Sequence, residues 1–166
     1  NYTAYEVAGL GTASGEVTVD DTYRGRPVVR IAESAFSGAT ELTGIVMGKN
    51  ITAIGKRAFA NCTNLTGVTF AGHTSSLGRS AFYGCVALSG IELPQSMRQV
   101  GAYAFYGCTG LISADLGGAW SVGDCAFYGC TKLESVEVPD TVTSLGRHVF
   151  NGCAALSEIL IPDSVT

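Results

Sequence analysis

Apolar residues return along this chain at a fixed interval of 23 residues, shortened once to 22. Phenylalanine stands at Phe36, Phe59, Phe82, Phe105, Phe127 and Phe150. Three residues after each come Ala39, Cys62, Cys85, Cys108, Cys130 and Cys153, and six after come Leu42, Leu65, Leu88, Leu111, Leu133 and Leu156. Nine after each Phe are Ile45, Val68, Ile91, Ala114, Val136 and Ile159; eleven after are Met47, Phe70, Leu93, Leu116, Val138 and Ile161. These last two columns alternate with mostly polar residues, the period-two pattern of a half-buried strand. Self-similarity at such a period marks stacked repeats, because one unit cannot bury its own apolar side and needs its neighbours to complete a core.

One repeat therefore reads as one coil of a solenoid. In "LESVEV", residues 133 to 138, Leu133, Val136 and Val138 face inward while Glu134, Ser135 and Glu137 face out. Pro139 ends the strand where no ladder donor is needed. A buried aliphatic residue follows in the returning segment (Ile54, Leu77, Val100, Val122, Leu145), each succeeded by Gly. Glycine at 55, 78, 101, 123 and 146 marks positive φ or a close backbone approach. Then "AFYGC" predicts one short helical turn, with Phe and Cys three apart on one inner face.

These residues resemble the BspA-like leucine-rich repeats, whose pattern is "IPxSVTxIGxxAFxxCxxLxxIxIP". "VPDTVTSLGRHVFNGCAALSEILIPDSVT", residues 138 to 166, follows it almost position for position, and weaker copies cover residues 28 to 137. The resemblance implies an α/β repeat solenoid: a leucine-rich-repeat horseshoe with parallel strands on the concave face and short helical turns on the convex side. It further implies a surface or secreted protein of microbes that adhere to hosts, matrix or each other, with no enzymatic activity of its own. Two departures stand out. Ala39 replaces Cys in the first copy, and "LGGAWSVG", residues 116 to 123, is one residue short and carries Trp120, which predicts a local distortion.

Residues 28–166 form the solenoid of about six repeats, and residues 1–27 do not repeat. There "YTAYEVAGL" and "EVTVDDTY" read as two strands joined by the Gly-rich "GTASG", an N-terminal β-hairpin cap over the open edge of the first coil. At the other end "IPDSVT" stops where the pattern continues, so the solenoid is expected to be C-terminally incomplete, with further repeats or domains beyond it.

Composition narrows the function. Charged residues make up only 14% of the 166, the net charge is −4, and the ten basic residues are scattered, which argues against nucleic acid as partner. No apolar run approaches the roughly 20 residues a membrane helix needs, so no membrane insertion is expected. The aligned cysteines admit a disulfide or metal framework, but reduced packed thiols fit better, since their column follows the inner Phe residues. Cys125 lies outside that column, beside Asp124 and in register with His148; no further orienting group accompanies them. "GLGTASG", residues 9 to 15, precedes a strand pattern and reads as a turn, not a nucleotide loop. No cofactor, metal or catalytic residue is assigned.

What repetition leaves is aligned surface. Ten residues after each Phe stand Val46, Thr69, Glu92, Asp115, Glu137 and Leu160, which places three carboxylates in adjacent rungs. Like charges directly opposite across strands repel. Glu92, Asp115 and Glu137, flanked by Ser113, Ser135 and Glu158, are the candidate ligand-binding strip, and Tyr83, Tyr106 and Tyr128 form a second candidate row on the convex side. The expected function is a non-catalytic module, extracellular or at the cell surface, binding a protein or glycan of a host, matrix or other cell. The alternative is a passive structural spacer in a larger protein.

Overall fold

The computed structural model describes residues 4–9, 11 and 14–166. Four strands open the chain: β1 (Tyr5–Val7), β2 (Gly15–Thr18), β3 (Thr22–Tyr23) and β4 (Arg26–Ile31). Longer and two-residue strands then alternate: β5 (Leu42–Met47), β6 (Ala53–Ile54), β7 (Gly67–Phe70), β8 (Ser76–Leu77) and β9 (Gly90–Glu92). The series continues through β10 (Gln99–Val100), β11 (Ser113–Asp115), β12 (Ser121–Val122), β13 (Ser135–Glu137) and β14 (Ser144–Leu145). Each coil thus contributes one strand to each of two parallel ladders. The strand face holds β2-β5-β7 and β9-β11-β13, and the returning segments stack as β1-β4-β6-β8-β10-β12-β14.

The third side of each coil is the segment around the repeated Phe, and here the structure corrects the sequence reading. Among the described residues there is no helix; "AFYGC" forms consecutive tight turns. The reason lies in the backbone. Residues two before the Phe, Arg57, Ser80, Tyr103, Cys125 and His148, have φ between 54° and 60°, and residues two after it, such as Asn61 and Gly84, are also left-handed. An L-residue helix cannot propagate through such positions. Every second amide instead donates to the next coil: Arg57 to the Arg79 carbonyl at 2.9 Å, Phe59 to Ala81 at 2.8 Å, Asn61 to Tyr83 at 2.6 Å. The intervening amides close turns within the coil, as Ala60 does to Arg57 at 3.1 Å.

The predicted Phe and Leu columns fill the interior up to the last copy, where Leu156 and Ile159 are half-buried and Ile161, expected to face inward, is exposed. Phe59, Phe82, Phe105, Phe127 and all five leucines from Leu42 to Leu133 are fully buried. The Phe rings stack through the column at centroid distances of 5.0 to 5.7 Å from Phe36 to Phe150, the last ring being half-buried. Of the two roles open to the repeated glycine, close approach is the one realised. A Cβ on Gly101 would lie 2.7 Å from the backbone of Gly78, and one on Gly146 2.4 Å from the Asp124 nitrogen, while φ is ordinary at both.

Among the described residues the N-terminal hairpin expected over residues 1–27 is not seen, and part of its Gly-rich connection lies outside them. The two strands exist, but β1 pairs parallel with β4 and β2 parallel with β5, so they are rungs of the two ladders and not partners of each other. The antiparallel pairing in this region is β3 with β4, turned through Arg24 and Gly25 at φ 51° and 73°. The short coil keeps its strand register on both sides. Gly117 and Gly118 press against the carbonyls of Leu93, Pro94 and Gln95, where a Cβ has no room, and Trp120 is turned out, 53% exposed, beneath the Arg98 guanidinium at 4.7 Å. On the returning side Ser121 and Val122 stand opposite Gln99 and Val100.

Candidate functional site

The strand face is built from residues that alternate in and out of the ladder. Ala114 is buried between Ile91 and Val136, while Asp115 lies directly opposite Glu92 on one side and Glu137 on the other. Parallel pairing in register holds these three carboxylates on successive rungs. Glu92 and Glu137 are exposed and Asp115 is half-buried, its Oδ1 accepting the Gly117 amide at 2.7 Å. Among the described residues the ion pairs Lys49–Asp21 and Lys56–Glu33 lie away from the strip. Two shallow depressions flank it: one of about 410 Å³ lined by Glu92, Ser113 and Thr69, and one of about 420 Å³ lined by Asp115, Glu137 and Gln95. Ser113 and Ser135 pair with each other two residues earlier. Glu158 is exposed in a stretch without strand pairing, so the strip ends at Glu137.

The tyrosine row is a true stack. Tyr83 and Tyr106 lie 5.1 Å apart and Tyr106 and Tyr128 5.0 Å apart, with planes within 4°. Partial burial and the flanking Tyr128 and Tyr83 phenols hold the Tyr106 hydroxyl above its ordinary pKa. Sequence reasoning missed two neighbours: Tyr103, tilted against Tyr106 at 5.8 Å, and Arg79, whose guanidinium covers the Tyr103 ring at 4.6 Å. The signal was present in the repeat alignment, where Tyr103 shares its column with Arg57 and Cys125.

All six cysteines are free. Each repeat thiol donates to the Phe carbonyl of the preceding coil: Cys62 to Phe36 at 3.0 Å, Cys85 to Phe59 at 3.1 Å, Cys108 to Phe82 at 3.1 Å. Burial pushes Cys62 up to about 11 and Cys108 up to about 12, and burial with its two thiol neighbours raises Cys85 further, so none of these three is a ready nucleophile. Cys125 is half-buried, and the Asp124 carboxylate accepts the Arg147 amide at 2.7 Å. Among the described residues no group of three His, Cys, Asp or Glu side chains could hold a metal ion. The glycine-rich segment 9–15 lies partly outside the described residues. No helix of the described residues is long and apolar enough to cross a membrane.

Comparison with known proteins places this geometry. The profile of the BspA type Leucine rich repeat region matches in six copies, over residues 29–120 and 117–166. No curated protein matches the chain. Among solved structures, a Leucine Rich Repeat protein of T. pallidum is 28% identical, with a TM-score of 0.66 over 86% of this chain and 78% of that one. A leucine rich cell surface protein from Faecalibacterium prausnitzii is 26% identical, with a TM-score of 0.63 over 93% of this chain and 48% of its own. The pneumococcal vaccine antigen PcpA shares the fold at 21% identity, with a TM-score of 0.69 over 92% of this chain and 41% of that one. This chain thus spans less than half of the latter two.

Proposed function

Because the chain belongs to the BspA-type leucine-rich repeat family, we propose that it is a non-catalytic recognition module of a surface or secreted protein, binding a protein or glycan through its strand face. The observation that carries this reading is the row of Glu92, Asp115 and Glu137 on adjacent rungs. Folding gains nothing from three like charges side by side, and water screens their repulsion only in part. A basic or cation-bridged partner relieves it. The location is supported by the resemblance to a cell surface protein at 26% identity.

The test is binding to a fixed matrix or cell-surface preparation at rising salt. The wild type should bind with an affinity that falls as salt screens the strip, and the triple variant Glu92→Gln, Asp115→Asn, Glu137→Gln should bind more weakly and with a flatter salt dependence. Equal binding by both proteins moves the chain to the passive-spacer reading.

A further inference from the structure

The tyrosine stack ends where the repeat breaks, and the break leaves a slot. The column one residue after each Phe reads Ser37, Ala60, Tyr83, Tyr106, Tyr128 and Asn151. Beneath it the Phe36, Phe59 and Phe82 rings keep a spacing of 5.0 Å, so the coils do not spread. Ser37, which is exposed, and Ala60, which is buried, therefore carry no ring in continuation of the tyrosine stack, and both line a depression beside Tyr83. Tyr83, stacked on Tyr106 on one side, is 38% exposed, and its other face meets this gap. The depression there measures about 580 Å³.

Its rim is cationic. Lys56, Arg57 and Arg79 line it together with Asn61 and Tyr103, and no carboxylate does, in a chain whose net charge is −4. Glu33 pairs with Lys56 at 3.1 Å, both being largely exposed, and among the described residues no ion pair reaches Arg57 or Arg79. The backbone on this side has no edge to offer, because the amides of Arg57, Phe59 and Asn61 and the carbonyls of Arg79, Ala81 and Tyr83 already bond to each other. A peptide cannot add there as a strand. An occupant is recognised by an aromatic face, a planar cation and polar side chains alone.

We propose that this slot binds an acidic sugar unit, its ring face against Tyr83 in continuation of the stack and its carboxylate or sulfate on Arg57 and Arg79. The site is separate from the strand face, and neither depends on the other. The probes are heparin and hyaluronan oligosaccharides, with a neutral cellulose oligosaccharide and a poly-glutamate peptide of matched length as controls. Titration followed by tyrosine fluorescence should show binding of at least one acidic oligosaccharide and neither control. Ala60→Tyr adds a ring to the column beside Tyr83 and should abolish binding in a variant that circular dichroism shows to be folded. Arg79→Gln and Arg57→Asn should each weaken binding about tenfold, the loss of one charge-assisted contact. The proposal is overturned if neither acidic oligosaccharide binds, if a folded Ala60→Tyr variant binds as the wild type does, or if poly-glutamate binds equally well.

Discussion

The turn side and the strand face of this solenoid are made by the same repeat and treat variation in opposite ways. Along the turn side the inner residue is Phe in all six copies, four of them with no exposure at all, and the ring above always meets the ring below. Along the strand face the outward residue ten positions later changes at almost every coil, through Val46, Thr69, Glu92, Asp115, Glu137 and Leu160. A column that never changes is doing the packing that one coil cannot do alone. A column that changes freely is released from packing, and its charges are then arranged without regard to stability. The same logic applies on the outer turn surface, where three stacked tyrosines give way to Ala60 and Ser37 without disturbing the Phe stack beneath.

The comparison breaks most readily at the fully buried rings. Phe105→Ala, read by denaturant unfolding, is expected to cost about 3 to 5 kcal/mol through lost transfer energy and the cavity left between Phe82 and Phe127. A loss below about 1 kcal/mol would show that neighbouring coils close over the gap. Next comes the backbone contact between coils. Gly101→Ala places a methyl 2.7 Å from the Gly78 backbone and should cost about 1 to 3 kcal/mol, whereas Gly67→Ala, with nothing within 4 Å, should be close to neutral.

Smaller still is the effect of pH on the thiols. Because folding raises Cys62 from 9.0 to about 11 and Cys108 to about 12, the unfolded thiols ionise first. Their contribution is intact below pH 9.0 and is lost as pH rises through the folded values, so the unfolding midpoint should fall between about pH 9 and 12. Replacing both residues by Ala should flatten that part of the profile. In the native protein at neutral pH, alkylation should reach half-buried Cys125 first, and mass spectrometry after denaturation without reductant should find all six thiols available. A disulfide within the repeat column would contradict the packing of each thiol on a Phe carbonyl.

Much of this was legible because a repeat reads the same position six times. The period, the Phe and Leu columns, the parallel strands and the inward thiols all follow from alignment of the copies. The turns were misread because a Phe and a Cys three residues apart suit a helix and a series of tight turns equally well. What separates the two is the left-handed backbone two residues before the Phe, and its occupants, among them Arg57, Ser80, Tyr103 and Cys125, do not announce it as glycine does. The pairing of β1 and β2 was hidden for a different reason. Strand patterns show which residues are strands, while the choice between a hairpin partner and the next coil is made by stacking that local sequence does not encode. On the strand face, the register of Asp115 with Glu92 and Glu137 followed directly from the repeat. The cationic slot by Tyr83 needed the structure, since Lys56, Arg57 and Arg79 come from two coils and look scattered along the chain.

The most direct measurement is an alanine scan of the outward strand row, Thr69, Glu92, Asp115 and Glu137, in which each variant is read for both thermal unfolding and binding to the same matrix or cell-surface preparation. If this row is free of packing and given to recognition, the Thr69, Glu92 and Glu137 variants should remain within about 0.5 kcal/mol of the wild type in stability, Asp115→Ala should lose about 1 kcal/mol with the Gly117 amide its carboxylate accepts, and the three carboxylate variants should lose binding. If the carboxylate variants instead lose stability in step with binding, or keep both unchanged, the division between a turn side that folds the protein and a strand face that recognises is wrong.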